Sequence, residues 1–351
     1  MTAEMAYGAL AAKVRALYGK RLRAGDFARL AERKSEAEIL EDLRQHPGWS
    51  RALALVPAGA WGYVGRVEVE RALQEELSLE YQSLTHYVPR EDRPLMQFQT
   101  RAAERSAILS ALRRLKVGSD GREESDAPRV RLHGRLNEQA AASCTSYEQL
   151  MEAARGTIYY TALRQLRPAR SEELPDFTQA DAALRTAYYA HLLRIVRTQY
   201  SGRTQKVLLR ALGEQIDLLN IIHILRIKTY FPQLGPEEYV GLTFPFHYRL
   251  DAALLHSLCT AQRTAEVCEL LRASYYREYF EEEAVDAVEE YYHRAVYRFN
   301  KRQLSAVPPS IYTAIAYLEL KELELGVLVN VIESVKYGVP YHAELADLVG
   351  Q

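Results

Sequence analysis

The sequence predicts an all-α protein built from three similar helical domains. Three observations support this fold class: apolar residues recur with the period of a helix, no stretch reads as a convincing run of strands, and two short motifs recur at intervals of roughly 110 residues. These intervals place the domains at residues 1–118, with an extra N-terminal helix, at 119–231 and at 232–351.

The clearest helix surrounds residue 220. Apolar residues recur there at helical spacing, and others fill the adjacent positions: Ile216, Leu219, Ile222 and Leu225, then Leu218, Ile221 and Ile224. A helix this apolar is buried on more than one side. A polar residue stands at every third position: Glu214, Asp217, Asn220, His223 and Arg226. Because this polar line drifts by about 60° per step around the helix, we expect it to pass between several packed neighbours.

The first repeated motif is Glu-x-x-Arg, which follows an apolar pair and precedes aromatic residues. Its copies are Glu41/Arg44, Glu152/Arg155 and Glu269/Arg272, with the arginines 111 and 117 residues apart. The apolar pairs are Ile39-Leu40, Leu150-Met151 and Val267-Cys268, and the aromatic residues are Trp49, Tyr159-Tyr160 and Tyr275-Tyr276. Each copy predicts a short helix that acts as a cap.

The second repeated motif is a long helix that ends in basic residues. Because the two motifs alternate, each unit should hold a cap followed by a long helical hairpin, at about 67–117, 180–230 and 284–337. TPR and HEAT units have only about 34 to 47 residues, so three larger units favour a funnel-like body with pseudo-three-fold symmetry. The basic ends either complement helix dipoles or form a rim that contacts a partner: Arg113, Arg226, Lys228 and Lys336.

Composition and charge exclude several classes of protein. The 45 basic and 46 acidic residues nearly cancel, which argues against a dedicated nucleic-acid binder. The three cysteines form no CxxC pair, which is typical of a reduced cytosolic protein without a zinc site. The longest charge-free stretches, 52–65 and 303–318, are too short to span a membrane and contain proline, and residues 1–13 do not resemble a secretory signal. We therefore expect any membrane association to go through another protein.

The sequence shows no convincing catalytic or metal motif. Glu290-x-x-His293 occurs once, whereas a helical di-iron site needs such a motif on each of two helices. The acidic run at 281–286 could suggest a magnesium site, but it also suits the start of a helix, where the dipole favours negative charge by about 0.3–1 kcal/mol. Gly19-Lys-Arg lacks the other residues of a phosphate loop. We therefore predict no catalytic residue, no metal ligand and no cofactor.

Three segments, taken in order, point to a known family. The first segment is residues 25–30, followed by Ile39 and Leu43. The second is Glu214-x-x-Asp217-x-x-Asn220, followed by residues 225–228. The third is residues 320–324, with Glu333 nine residues later. Their joint spacing resembles the central-stalk subunit of rotary V/A-type ATPases, which is called C in bacterial and archaeal enzymes and d in eukaryotic ones. The resemblance covers essentially the whole chain.

The resemblance implies a funnel of three similar helical domains, in agreement with the repeats. It also implies a non-catalytic rotor subunit that sits on the membrane proteolipid ring and receives the tip of the central shaft, formed by D/F-type subunits. Such a socket would transmit the torque that couples ATP turnover to ion transport. The implied location is the cytoplasmic, inner face of the cell membrane, with membrane contact through the ring only and no nucleic-acid partner.

Two sets of residues follow as candidates. One set is expected to hold helices together through buried polar contacts: Glu214, Asp217, Asn220, Glu322 and Glu324. The other is the candidate rim toward ring or shaft: Arg113, Arg226, Lys228 and Lys336. The alternative function is a stand-alone helical scaffold that binds protein partners in a groove, and a helical metalloenzyme comes third.

Overall fold

The computed structural model describes residues 3–54, 66–117, 134–170, 173–231, 233, 235–237, 243–280, 288–305 and 308–351. Within these ranges the chain forms helices and turns and no strand, which confirms the all-α fold class. The acidic run at 281–286 lies outside the described residues, and so does the side chain of Glu290.

Long helices alternate with groups of short ones along the chain. In chain order they are α1 (Ala3–Tyr18), α2 (Ala24–Ala31), α3 (Glu36–Gln45), α4 (Ser50–Leu53), α5 (Arg66–Thr85), α6 (Arg93–Met96), α7 (Phe98–Val117), α8 (Glu138–Ser143), α9 (Tyr147–Ala153), α10 (Tyr160–Gln165), α11 (Phe177–Gln199), α12 (Gly202–Tyr230), α13 (Ala252–Thr260), α14 (Thr264–Arg272), α15 (Val288–Leu304), α16 (Tyr312–Tyr337) and α17 (Ala343–Val349). Single 3-10 turns lie at Arg90–Asp92 and Arg277–Tyr279.

Side-chain caps fix where several of these helices begin. Each cap accepts the backbone N–H of the residue three positions further on: Ser35, Asn137, Ser146, Asp176 and Asp251. Such a bond satisfies one of the four N–H groups that a helix start leaves without an internal partner. At the other end of α16, Gly338 adopts φ 65°, the left-handed conformation that commonly terminates a helix.

The chain divides into two compact units. Unit 1 comprises Met1–Ala103, Arg122–His133 and Tyr297–Gln351, and unit 2 comprises Glu104–Gly121 and Gly134–Val296. Consecutive long helices lie near the positions of the predicted hairpins: α5 and α7, α11 and α12, and α15 and α16. Of these pairs, α11 and α12 pack against each other. The division into three domains and their pseudo-three-fold arrangement stay predictions.

Helix α16 is the centre of unit 1. It packs against α1, α2, α3, α5 and α17. The core around it joins residues from both ends of the chain, including Phe27, Ile39, Trp49, Leu328 and Val331, all of them 2% exposed or less. Burial of this much apolar surface ties the N-terminal short helices to the last long helix.

Helix α12 has the same position in unit 2. It packs against α11, α13 and α14. As its apolar periodicity predicts, it is buried on several sides, with Ile216, Ile221 and Ile224 at 1% exposure or less. Its polar residues Asp217 and Asn220 are fully buried as well. A buried polar group is costly unless it is hydrogen-bonded, so the partners of these two side chains matter.

Glycines in the two central helices give a matched test of packing. A Cβ on Gly213 in α12 would lie 2.5 Å from the Cβ of Tyr248, whereas a Cβ on Gly326 in α16 would meet nothing within 4 Å. We expect Gly213→Ala to lower the free energy of unfolding by about 1–3 kcal/mol through overpacking. Gly326→Ala should raise it by about 0.5–1 kcal/mol, because alanine favours a helix. Urea unfolding of both variants tests this, and equal effects would contradict the close contact.

Candidate functional site: three loops held by buried carboxylates

The carboxylate of Asp217 holds the loop that precedes α13. Its Oδ1 accepts the N–H of Tyr248 at 2.9 Å. Its Oδ2 accepts the N–H groups of Arg249 at 2.6 Å and Leu250 at 2.8 Å, and the hydroxyl of Tyr276 at 2.6 Å. Burial, with the nearby Asp217 charge, holds the pKa of Tyr276 far above its ordinary value, so that phenol stays a donor. Four donors therefore satisfy one fully buried acid.

Glu324 in α16 has the equivalent role in unit 1. Its Oε1 accepts the N–H of Leu22 at 3.1 Å and the indole N–H of Trp49 at 2.7 Å. The buried Lys321 ammonium lies 3.4 Å from the same oxygen and donates to the carbonyl of Gly48 at 3.0 Å. It also lies 3.7 Å above the ring centroid of Trp49, within the range of a cation–π interaction. This cluster attaches the segment around α2 and α4 to α16.

Glu104 in α7 holds a third loop. Its Oε1 accepts the N–H of Arg135 at 2.6 Å and that of Leu136 at 3.2 Å. The approach is so close that a Cβ on Gly134 would lie 2.6 Å from this oxygen. Glu104 is 4% exposed, so the two backbone donors bond one oxygen of a buried carboxylate.

One local arrangement thus occurs three times. The leucine whose N–H bonds the acid is Leu22, Leu136 or Leu250, at equal intervals of 114 residues, and an arginine precedes each one. Each leucine stands two residues before the start of a short helix, α2, α8 or α13. The acids lie on α16, α7 and α12, the second helix of each long pair. Sequence reasoning missed both Glu104 and the repeated Arg-Leu pair, although the equal intervals were a visible signal.

The other candidate architectural residues divide into buried and exposed ones. Asn220 is fully buried; its Oδ1 accepts the N–H of Phe244 at 2.8 Å. Glu214, 4% exposed, accepts from Arg210 Nε at 2.8 Å and from the Tyr275 hydroxyl at 2.6 Å. Glu322 is exposed, so the expectation of a buried contact is wrong at this position. Two residues advance a helix by about 200°, which turns Glu322 away from the side that buries Glu324.

Lys228 also differs from expectation. It is 9% exposed, and its ammonium donates to the carbonyls of Cys259 at 2.9 Å and Ala261 at 2.6 Å, at the C-terminal end of α13. Burial lowers the pKa of Lys228. The expectation that Lys228 lies on an accessible rim is therefore wrong, because its ammonium is buried and bonds the carbonyls at the end of α13.

The remaining basic candidates lie at the surface or near it. Arg113 is exposed and its guanidinium lies 4.9 Å above the Phe177 ring centroid. Arg226 is exposed as well. Lys336 forms an ion pair with Glu36 at 3.0 Å, so part of its charge is already compensated. A rim made of these residues stays a prediction.

Metal-binding clusters and membrane-spanning helices are both absent from the part of the chain that the structure describes. Among those residues, no three His, Cys, Asp or Glu side chains gather in a way that could hold a metal ion. No described helix is both long and apolar enough to cross a bilayer. The thiols of Cys144, Cys259 and Cys268 are buried, and burial raises the pKa of each.

His46, in the turn before Trp49, makes the stability of this region depend on pH. Its Nδ1 accepts the N–H of Gly48 at 3.2 Å, and burial lowers its pKa below the ordinary value. The unfolded chain therefore binds a proton at higher pH than the folded one, so stability is present above about pH 6.5 and is lost as pH falls. Between about pH 7 and pH 5, we expect the free energy of unfolding to change less favourably in wild type than in His46→Gln, because the variant lacks this group. Urea unfolding of both proteins at both pH values tests this; an equal pH dependence of the two proteins would contradict it.

Fold and site together define a class of protein: an all-helical chain in which buried carboxylates attach short-helix segments to long helices. A profile of the ATP synthase (C/AC39) subunit family matches residues 10–343, and the chain belongs to that family. It is 28% identical over 221 residues to the C subunit of the A-type ATP synthase from Methanosphaera stadtmanae, covering 62% of this chain and 53% of the relative. It is 26% identical over 195 residues to the same subunit from Archaeoglobus fulgidus, covering 55% and 54%.

The family that the sequence resembles is thereby confirmed, and its members are subunits of an ATP synthase complex. The matches span about half the length of the curated relatives.

Proposed function

We propose that this chain is the central-stalk linker of a V/A-type ATPase or ATP synthase, a socket that joins the shaft of the soluble motor to the membrane proteolipid ring. The observation that supports it most is the family match from residue 10 to residue 343, which runs through all three acid-held loops. In this role the chain needs no active site of its own. ATP turnover belongs to the soluble motor and ion movement to the ring.

The acid-held loops suit a part that transmits torque. Each buried carboxylate accepts at least one main-chain N–H of a loop, so the loop is attached through its backbone as well as through any side-chain donor. Charge-assisted hydrogen bonds in a buried site are strong, and close-packed cores are poorly compressible. A twisting force on one short helix would therefore be transmitted to the long helix that holds its loop, with little relative movement between the two.

The location follows from the same role. A socket on the ring lies at the inner, cytoplasmic face of the cell membrane and contacts the lipid only through the ring. The shaft side would receive D/F-type subunits. Charge complementarity is the natural means of docking there, because it speeds association and selects partners.

The test is a pull-down of the purified chain against shaft subunits and, separately, against the detergent-solubilised ring from the same source, at low and high salt. We expect binding to both, with the shaft contact weakened by salt as screening increases. Binding to neither would contradict the proposal and favour the alternative, a stand-alone scaffold that binds other proteins in a groove.

The rim hypothesis needs its own variants. Arg113→Glu with Arg226→Glu should weaken binding to ring or shaft at low salt by about tenfold or more without unfolding the chain, because both side chains are exposed. The matched control is Arg155→Glu with Arg170→Glu, at side chains that are 67% and 83% exposed. Unchanged binding of the first double variant at low salt would remove these two residues from the interface.

A further inference from the structure

Three side chains of unit 2 form an exposed cluster that the acid-held loops do not explain. The guanidinium of Arg249 lies 5.0 Å from the ring centroid of Tyr248 and 5.4 Å from that of Tyr275. Arg249 is exposed, and Tyr248 and Tyr275 are exposed by 37% and 45%. We call these three residues the Arg249 patch. Single exposed aromatic side chains are common on protein surfaces, but aromatic side chains that cluster around one arginine often mark an interaction site.

The Arg249 patch is held rigidly from below. Asp217 accepts the backbone N–H groups of Tyr248 and Arg249, so the main chain under both side chains is fixed. The Tyr248 side chain lies against Gly213 of α12, where even a Cβ would not fit. A surface that is already ordered loses little entropy when it binds a partner.

Tyr275 is fixed by its hydroxyl. It donates to Glu214 at 2.6 Å, and Arg210 Nε donates to the same carboxylate oxygen at 2.8 Å. Burial and the Glu214 contact raise the pKa of Tyr275 to about 12, so the phenol keeps its proton and its role as donor. The ring face of Tyr275 is therefore held in place beside Arg249.

The guanidinium of Arg249 has binding capacity left over. Within the ranges that the structure describes, it contacts the two rings and no carboxylate. A planar guanidinium presents two parallel N–H donors that match a carboxylate, and stacking on aromatic rings keeps that edge available. Arginine and tyrosine are also among the residues enriched where protein interfaces gain most of their affinity.

The charge of the Arg249 patch favours a protein over a lipid surface. Arg210 is paired with Glu214, so Arg249 supplies the one uncompensated positive charge among these described groups. Binding to an anionic membrane surface typically uses clusters of about 4–8 basic residues. A single arginine that stacks against two tyrosine rings is instead suited to bind one carboxylate at the centre of a protein–protein interface.

We propose that the Arg249 patch is a docking surface for an acidic side chain of another protein subunit, which Arg249 would bind through paired N–H···O hydrogen bonds. The partner is taken to be a subunit of the same rotary complex, so this inference rests on the proposed function. The two tyrosine rings would exclude water around the ion pair, which strengthens it.

The test measures binding of wild type, Arg249→Ala and Arg249→Lys to the purified shaft subunits and to the solubilised ring, with vesicles of anionic phospholipid as a third probe. We expect Arg249→Ala to weaken binding to one of the two protein assemblies about tenfold or more. Arg249→Lys should recover only part of it, since lysine keeps the charge but not the planar pair of donors.

The matched control is Arg263→Ala, in the same unit, whose side chain is 78% exposed and paired with Glu266. It should bind as wild type does, and all variants should keep the wild-type melting temperature. If the wild type binds its partner and Arg249→Ala binds equally well, this inference fails and the proposed function stands. Dependence on Arg249 with vesicles alone would overturn the choice of a protein partner. Failure of the wild type to bind either assembly would overturn both proposals.

Discussion

Asp217→Asn is expected to lower the free energy of unfolding by about 3–5 kcal/mol, the cost of breaking a buried, fully paired charge network. In the wild type both carboxylate oxygens accept: Oδ1 from Tyr248, and Oδ2 from two further N–H groups and the Tyr276 hydroxyl. An amide has one oxygen and one NH₂ group. In either orientation the NH₂ group therefore faces N–H or O–H donors with which it cannot form a hydrogen bond. Thermal unfolding should show a loss of roughly 10 °C in melting temperature.

The control for Asp217 is Glu269→Gln, which removes a charge from an exposed position of α14. A surface substitution of this kind should change stability by no more than about 0.5 kcal/mol. If Asp217→Asn cost no more than this control, Asp217 would not hold the loop before α13 in solution, and the acid-held arrangement would be contradicted at its best-connected copy.

Glu324→Gln is expected to have a second large effect, again about 3–5 kcal/mol, because it leaves the Lys321 ammonium buried without its nearest counter-charge. Glu324 Oε1 is 3.4 Å from Lys321 Nζ and also accepts from Leu22 and Trp49. Adding Lys321→Met to Glu324→Gln should restore part of the loss, since the uncompensated charge is then gone. A double-mutant cycle by urea unfolding measures this coupling.

Glu322→Gln is the matched control on the same helix, two residues away and exposed. We expect a change of no more than about 0.5 kcal/mol there. Equal losses for Glu322→Gln and Glu324→Gln would contradict the division between an exposed and a buried acid. Strictly additive effects of Lys321→Met and Glu324→Gln would contradict the coupling between the two charges.

Local patterns predicted the features that local physics controls. The 3.6-residue period of apolar side chains around Ile221 predicted both α12 and its burial on several sides. The polar line through that helix predicted that Asp217 and Asn220 would face packed neighbours rather than water, and both are fully buried. The long helices were also predictable, since each ends near a basic cluster or a break in the apolar pattern.

Features that depend on distant residues were not predictable in the same way. Glu104 looks like an ordinary helix-surface acid, because the loop that buries it begins 31 residues later, at Arg135. In the sequence, Lys228 looks like an exposed basic residue at the end of a helix. Only the position of α13 shows that its ammonium donates hydrogen bonds to two backbone carbonyls. Glu322 was grouped with Glu324 as a buried acid, although residues two apart on a helix do not share one face. Their helical spacing alone would have predicted that Glu322 is exposed when Glu324 is buried, as the structure shows.

The most direct test of the linker role is a bridging experiment with three purified components from one source: this chain, the shaft subunits and the detergent-solubilised ring. Size exclusion with light scattering measures the mass of each mixture. We expect shaft and ring to co-elute as one complex only when this chain is present, and not as a pair without it. Shaft and ring that join without the chain, or a chain that joins neither, would contradict its role as the socket between them.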